Sequence, residues 1–151
     1  MRRKALRAAL VLALLTATVA SASCAKATDT TSDGGAVPVT LETLTGNWET
    51  STVEGPEGTV ELKRPAVLKI HSDGSFVLDA GCNNIGGSFS LEADELRSTP
   101  VRSTRMACNE PISTFEFAAS QIITEMTGAE LPSEDTLVLE APSGNLKFQR
   151  I

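Results

Sequence analysis

AVLKIHSDGSFVLDAGCNNIGGSFSL fills residues 66–91. Residues 66–70 (AVLKI) and 75–79 (SFVLD) are short apolar runs, and the Asp73-Gly74 step of the intervening HSDG favours a hairpin turn. A third run, 87–91 (GSFSL), follows a connection in which the glycines permit a tight or bulged path. Asn83 and Asn84 can bond neighbouring backbone there. This stretch alone therefore reads as three successive strands.

The same pattern extends both ways. Upstream, residues 46–53 (GNWETSTV) alternate around Trp48, Thr50 and Thr52, then break at Gly55-Pro56-Glu57-Gly58. Downstream, residues 96–101 (LRSTPV) follow the acidic turn Glu92-Ala93-Asp94-Glu95, and 136–140 (TLVLE) and 145–150 (NLKFQR) flank Ala141-Pro142-Ser143-Gly144. Leu137, Val138 and Leu139 are consecutive, so that strand is expected to be buried on both faces. One segment breaks the period of two: in 109–126 (NEPISTFEFAASQIITEM) apolar residues recur at Ile112, Phe115, Ala118, Ala119, Ile122 and Met126. That spacing marks one face of a helix, which Phe117 and Ile123 would widen. Asn109 suits an N-cap, Glu110 and Pro111 a first turn, and Thr127-Gly128 a stop. Seven strands and one helix (about 109–127) predict a mainly β fold, antiparallel, with a single covering or plugging helix.

The N-terminus has a different character. Residues 1–7 are basic, residues 8–20 (AALVLALLTATVA) are apolar, and Ser21-Ala22-Ser23 are small, the order of a secretory signal peptide over 1–23. The apolar core is too short to span the roughly 30 Å of bilayer hydrocarbon. Two cleavage sites compete: after Ala22 of Ala20-Ser21-Ala22, or before Cys24 of Ser21-Ala22-Ser23-Cys24. The second resembles a bacterial lipobox, with Ser21 where an aliphatic residue is usual. Residues 25–39 (AKATDTTSDGGAVPV) then read as a flexible tether. The expected organisation is signal peptide 1–23, lipidated Cys24 and linker 24–40, and one domain over 41–151.

The chain has three cysteines. Lipidation would occupy Cys24 and leave Cys82 and Cys108 as a pair, either a structural disulfide or a redox-active or unpaired set of thiols. A disulfide between them would contribute on the order of 3 kcal/mol by loop-closure entropy. Removal of 1–23 takes four basic residues and no acidic ones, so residues 24–151 hold nine basic against 19 acidic residues, a net charge of −10. Such a surface repels nucleic acid and anionic headgroups, leaving the lipid as the membrane attachment.

Three further pieces stand in a recognisable order: Leu44-Thr45-Gly46-Asn47-Trp48, then Gly81-Cys82-Asn83 with Gly86-Gly87, then Thr104-Arg105-Met106-Ala107-Cys108. With the closing Leu146-Lys147-Phe148-Gln149-Arg150, they resemble the META domain, also called HslJ-like, over residues 41–151. Ile85 stands where a bulkier aromatic is common in that family. The resemblance implies a small β-barrel-like, lipocalin-like fold with a packed helix and no catalytic residues. It makes Gly46, Trp48, Gly81, Cys82, Asn83, Gly86, Gly87, Thr104, Met106 and Cys108 structural motif positions. Family members are often exported or lipid-anchored and are associated with stress tolerance, motility or secretion.

Catalysis needs a poised acid, base, nucleophile or metal. The single histidine, His71, sits beside a predicted turn, so a Ser-His-Asp system would rest wholly on it. Zinc is disfavoured, because Cys82 and Cys108 lack CxxC spacing and one His alone could join them. Glu92, Asp94 and Glu95 lack the EF-hand pattern and read as a solvated turn. Arg97, Arg102 and Arg105 could form a basic stripe but default to scattered surface residues; Trp48 reads as a core anchor. The expectation is a non-enzymatic envelope lipoprotein with no cofactor or metal, held at the outer face of a membrane and supporting or binding an envelope component. Secreted or periplasmic soluble protein is the alternative location. The alternative functions are a small apolar-ligand carrier and a protease inhibitor presenting 54–64 as a rigid loop.

Overall fold

The computed structural model describes residues 35–93 and 95–151. The signal peptide, Ser21, Cys24 and the linker as far as residue 34 lie outside the described residues, as does Asp94 of the acidic turn. Helix α1 (Leu41–Leu44) is followed by strands β1 (Gly46–Gly55), β2 (Gly58–Ile70), β3 (Ser75–Asp79), β4 (Asn84–Glu92), β5 (Glu95–Ser98) and β6 (Arg102–Ser103). Helix α2 (Ile112–Glu125) precedes β7 (Gly128–Ser133), β8 (Thr136–Ala141) and β9 (Gly144–Arg150). All the pairings are antiparallel, in the order β5-β4-β3-β2-β1-β9-β8-β7, with β6 also on β4. The end strands β5 and β7 approach one another, so the sheet is a nearly closed barrel. The predicted mainly β, barrel-like class is therefore correct.

Alternation places one side chain in two inside. Trp48, Leu68, Leu78 and Ile85 face one another across β1 to β4 in register, and all four are fully buried. Phe76 and Phe89 stack with centroids 4.3 Å apart, and a Cβ on Gly87 would lie 2.9 Å from the Phe76 ring. Helix α2 touches β1, β2, β5, β8 and β9 and buries Phe115, Ala119, Ile122 and Ile123 among them. The interior is thus filled by side chains and closed by the helix.

Arg150 ties the chain's end to its beginning. Its guanidinium lies 3.9 Å from the Trp48 ring centroid. It donates to Thr43 O (2.6 Å) and Thr45 O (3.0 Å) at the end of α1, and to Glu134 O (2.8 Å) between β7 and β8. Gly46 makes room, since a Cβ there would lie 2.7 Å from Arg150 Nη1. Trp48 Nε1 donates to Leu44 O at 2.8 Å, so Trp48 is a core anchor with its polar atom satisfied.

Several expectations need correction. Residues 54–64 are no loop: a two-residue turn, Pro56-Glu57, joins β1 to the long strand β2. Strand β7, the short β6 and helix α1 were not foreseen, and residues 99–101 fall outside β5. Val138 is half-buried, so β8 has one core face instead of two. The linker's last residues are ordered, with Val37 N–H donating to Leu131 O at 2.7 Å on the β7 edge. Asn109 does not cap α2 with its side chain. Pro111 holds the N-cap, after a cis Glu110–Pro111 bond, and the Glu110 carboxylate accepts from Ser113 Oγ, Thr114 Oγ1 and Thr114 N. Phe117 does not widen the core stripe; it is 67% exposed.

Candidate functional site

The two motif segments far apart in sequence meet at Asn83. Gly81, at φ +96°, turns the chain out of β3 beneath the Arg64 guanidinium, and Gly81 N–H donates to Asp79 Oδ1 at 2.7 Å. This places Asn83 between the 104–108 segment and the first turns of α2, only 7% exposed. Its Oδ1 accepts from Thr104 Oγ1 (2.9 Å) and Met106 N (2.8 Å). Its Nδ2 donates to Glu116 Oε2 (2.8 Å) and Met106 O (3.1 Å), and Asn83 N donates to Glu116 Oε1 (2.6 Å). An amide nitrogen has two hydrogens, so these partners exhaust it; Cys108 Sγ, 2.9 Å away, is a contact. Asn84 and Thr104 add two more bonds between the segments.

Cys82 and Cys108 are joined as a disulfide with a Cα–Cα distance of 6.0 Å, lying against this network. The structure thus brings together Gly81, Cys82, Asn83, Thr104, Met106 and Cys108. Gly46 and Trp48 serve the Arg150 closure instead, while Gly86 and Gly87 lie in β4 against β3. Ile85 is fully buried opposite Leu78.

Glu116 is the residue sequence reading missed. It is a carboxylate 7% exposed, held by two donors of Asn83, with Oε2 3.4 Å from Cys108 Sγ. A signal existed: Glu116 falls four residues after Ile112 and three before Ala119, inside the apolar stripe. A charge there needs polar partners, and the Asn83 loop supplies them.

The remaining candidates are dispersed. His71 is exposed in the β2–β3 turn, its N–H donating to Ser75 O and its carbonyl accepting from Gly74 N. Beside it, hydrogen bonds from the Ser75 side chain and backbone hold the Asp73 carboxyl below its ordinary range. Arg97 pairs with Glu95, whereas Arg102 and Arg105 are exposed.

The motif order and the barrel agree with a match to the META domain family model over residues 40–150. The chain belongs to the META domain family. Comparison with curated proteins finds no match. Two solution structures share the fold at 22% identity each. One, of a protein from Burkholderia xenovorans, has a TM-score of 0.61 and covers 78% of this chain and 90% of its own. The other has a TM-score of 0.57 and covers 74% of this chain and 95% of its own. In this META domain, Asn83 fastens the β3–β4 connection to helix α2, and Arg150 fastens the chain's end to its start.

Proposed function

We propose that this META domain is a non-enzymatic, lipid-tethered envelope module that works through its outer surface by binding another envelope protein. The filled interior carries this reading. Trp48, Phe76, Phe115 and Phe148 occupy the space an apolar ligand would need, which weighs against the carrier alternative. The hairpin at residues 54–64 lacks the protruding loop an inhibitor would present.

Among the described residues, an apolar groove lies on the surface with Glu57 in its lining. It holds about 150 Å³ between the β1–β2 hairpin and α2, lined by Pro56, Glu57, Val60, Phe117 and Gln121 among others. Phe117, exposed on a helix otherwise polar on that side, suits an aliphatic or aromatic side chain of a partner. The acidic charge of residues 24–151 favours a partner with basic residues around that anchor.

Two measurements in living cells test this. Metabolic fatty-acid labelling is expected on the wild type and not on Cys24→Ala; equal labelling of both refutes the tether. A photo-crosslinking residue at position 117 is expected to give discrete adducts that the same residue at position 77, on β3, does not. Identical adducts from both positions, or none from 117, refute the surface.

A further inference from the structure

The disulfide and Glu116 together form something other than a staple. Cys82 Sγ, Cys108 Sγ and a Glu116 carboxylate oxygen lie within 4.8 Å of one another. Glu116 Oε2 and Met106 O each stand 3.4 Å from Cys108 Sγ. Tetrahedral zinc takes sulfur at about 2.3 Å and oxygen at about 2.0 Å, so neighbouring S and O ligands sit about 3.5 Å apart and two sulfurs about 3.8 Å apart. Two S–O edges of such a tetrahedron are thus already present. The S–S edge must lengthen, which it does when the bond is broken, and Cys82 Sγ already lies within 4.8 Å of the Glu116 carboxylate. Glu116 is buried with Asn83 as its only hydrogen-bond donor among the described residues, and the one ion pair among them, Arg97–Glu95, is elsewhere. Opening the disulfide would therefore place two thiols beside a buried carboxylate, and their thiolates together with that carboxylate form an anionic set that a divalent cation neutralises.

We propose that reduction of Cys82–Cys108 by a dithiol creates a binding site for a thiophilic d10 cation of the zinc and cadmium class, with Cys82, Cys108 and Glu116 as ligands and the Met106 carbonyl or water completing four. The dithiol attacks one sulfur and the S–S bond breaks. The reductant leaves as its own disulfide, and its two electrons and two protons remain on the cysteines as thiols. Metal binding then releases those two protons and forms two metal–thiolate bonds. In the disulfide form neither sulfur has a proton to give up, so the site exists only in the reduced protein. Neither cysteine spacing nor the lone histidine reveals it, because the third ligand comes from the helix.

The test is a cadmium titration of the full chain carrying Cys24→Ser, which leaves Cys82 and Cys108 as its two cysteines, reduced with dithiothreitol and desalted without oxygen. The expected result is a thiolate-to-cadmium charge-transfer band saturating at one ion per chain, with about two protons released and no band for the oxidised protein. X-ray absorption of the complex should show two sulfur and two lighter neighbours. Glu116→Gln should weaken binding at least about tenfold, and Cys82→Ser should leave at most the band of a single thiolate, with weaker binding. A missing band, a sulfur-only shell, or a Glu116→Gln affinity equal to wild type overturns the proposal. So does a reduced chain that stays unfolded by near-ultraviolet dichroism with cadmium present. If Glu116→Gln does not fold, the wild-type absorption shell decides alone.

Discussion

Asn83→Ala should show how much of this fold hangs on one amide. The side chain makes four hydrogen bonds, two accepted by Oδ1 and two donated by Nδ2. Met106 and Thr104 are exposed, so water can replace the bonds on their side. The bond to Glu116 Oε2 is different: it faces a carboxylate in the interior, where losing a donor is worth about 1.5–3 kcal/mol. Adding a fraction of the others gives an expected loss of about 2–4 kcal/mol, a large share of a small domain's stability. Urea unfolding at neutral pH, followed by the single tryptophan Trp48, measures it; the midpoint should fall with the slope unchanged. Asn83→Asp sharpens the test, since it keeps the acceptor and sets a second carboxylate against Glu116. That variant should be at least as unstable as the alanine at neutral pH. A loss below about 1 kcal/mol for Asn83→Ala, or an Asn83→Asp variant as stable as wild type at neutral pH, would refute the reasoning.

Other expectations concern the frame. Gly144→Ala should cost several kcal/mol and can prevent folding, because its Cβ would meet Glu54 O at 1.8 Å. Gly58→Ala, with φ also positive but nothing within 4 Å, should cost only about 1 kcal/mol, and thermal unfolding separates the two. Arg150→Lys should recover little of the stability lost in Arg150→Ala, since three carbonyls and a ring face engage the guanidinium fork; equal stability of Lys and wild type would contradict this. Hydrogen bonds from Ser113 and Thr114 hold the Glu110 carboxyl below its ordinary value of 4.5. The folded state therefore favours the anion, and its contribution is present above that value and lost as pH falls below it. Wild type should lose stability relative to Glu110→Gln over that acidic window, as read by urea midpoints.

Strands were legible where one face alternates against the core, as in β1, β3 and β9, β8 was legible as an apolar run, and the helix was legible from its stripe. The first half of β2 was hidden because Glu61, Lys63 and Arg64 are exposed around one buried Leu62, next to a Gly-Pro-Glu-Gly turn. Strand β7 was hidden for a similar reason: it has one buried residue, Leu131, and Pro132 beside it. Propensity reads such lightly buried strands as loops, and ladder bonds made elsewhere in the chain override it. At the site, the glycines, asparagine and cysteines were visible as a motif, but not their common partner. Glu116 acts through a contact 33 residues away, and local periodicity carries no information about it.

Amide hydrogen exchange probes the Asn83 junction without any substitution. The Asn83 N–H donates to buried Glu116 and the Met106 N–H to Asn83 Oδ1, although both residues lie outside the strands and helices. If this motif is a locked fastening of the β3–β4 connection onto α2, both amides should exchange as slowly as those in the centre of β2 and β3. Exchange of both at the rate of unprotected backbone amides would contradict that claim.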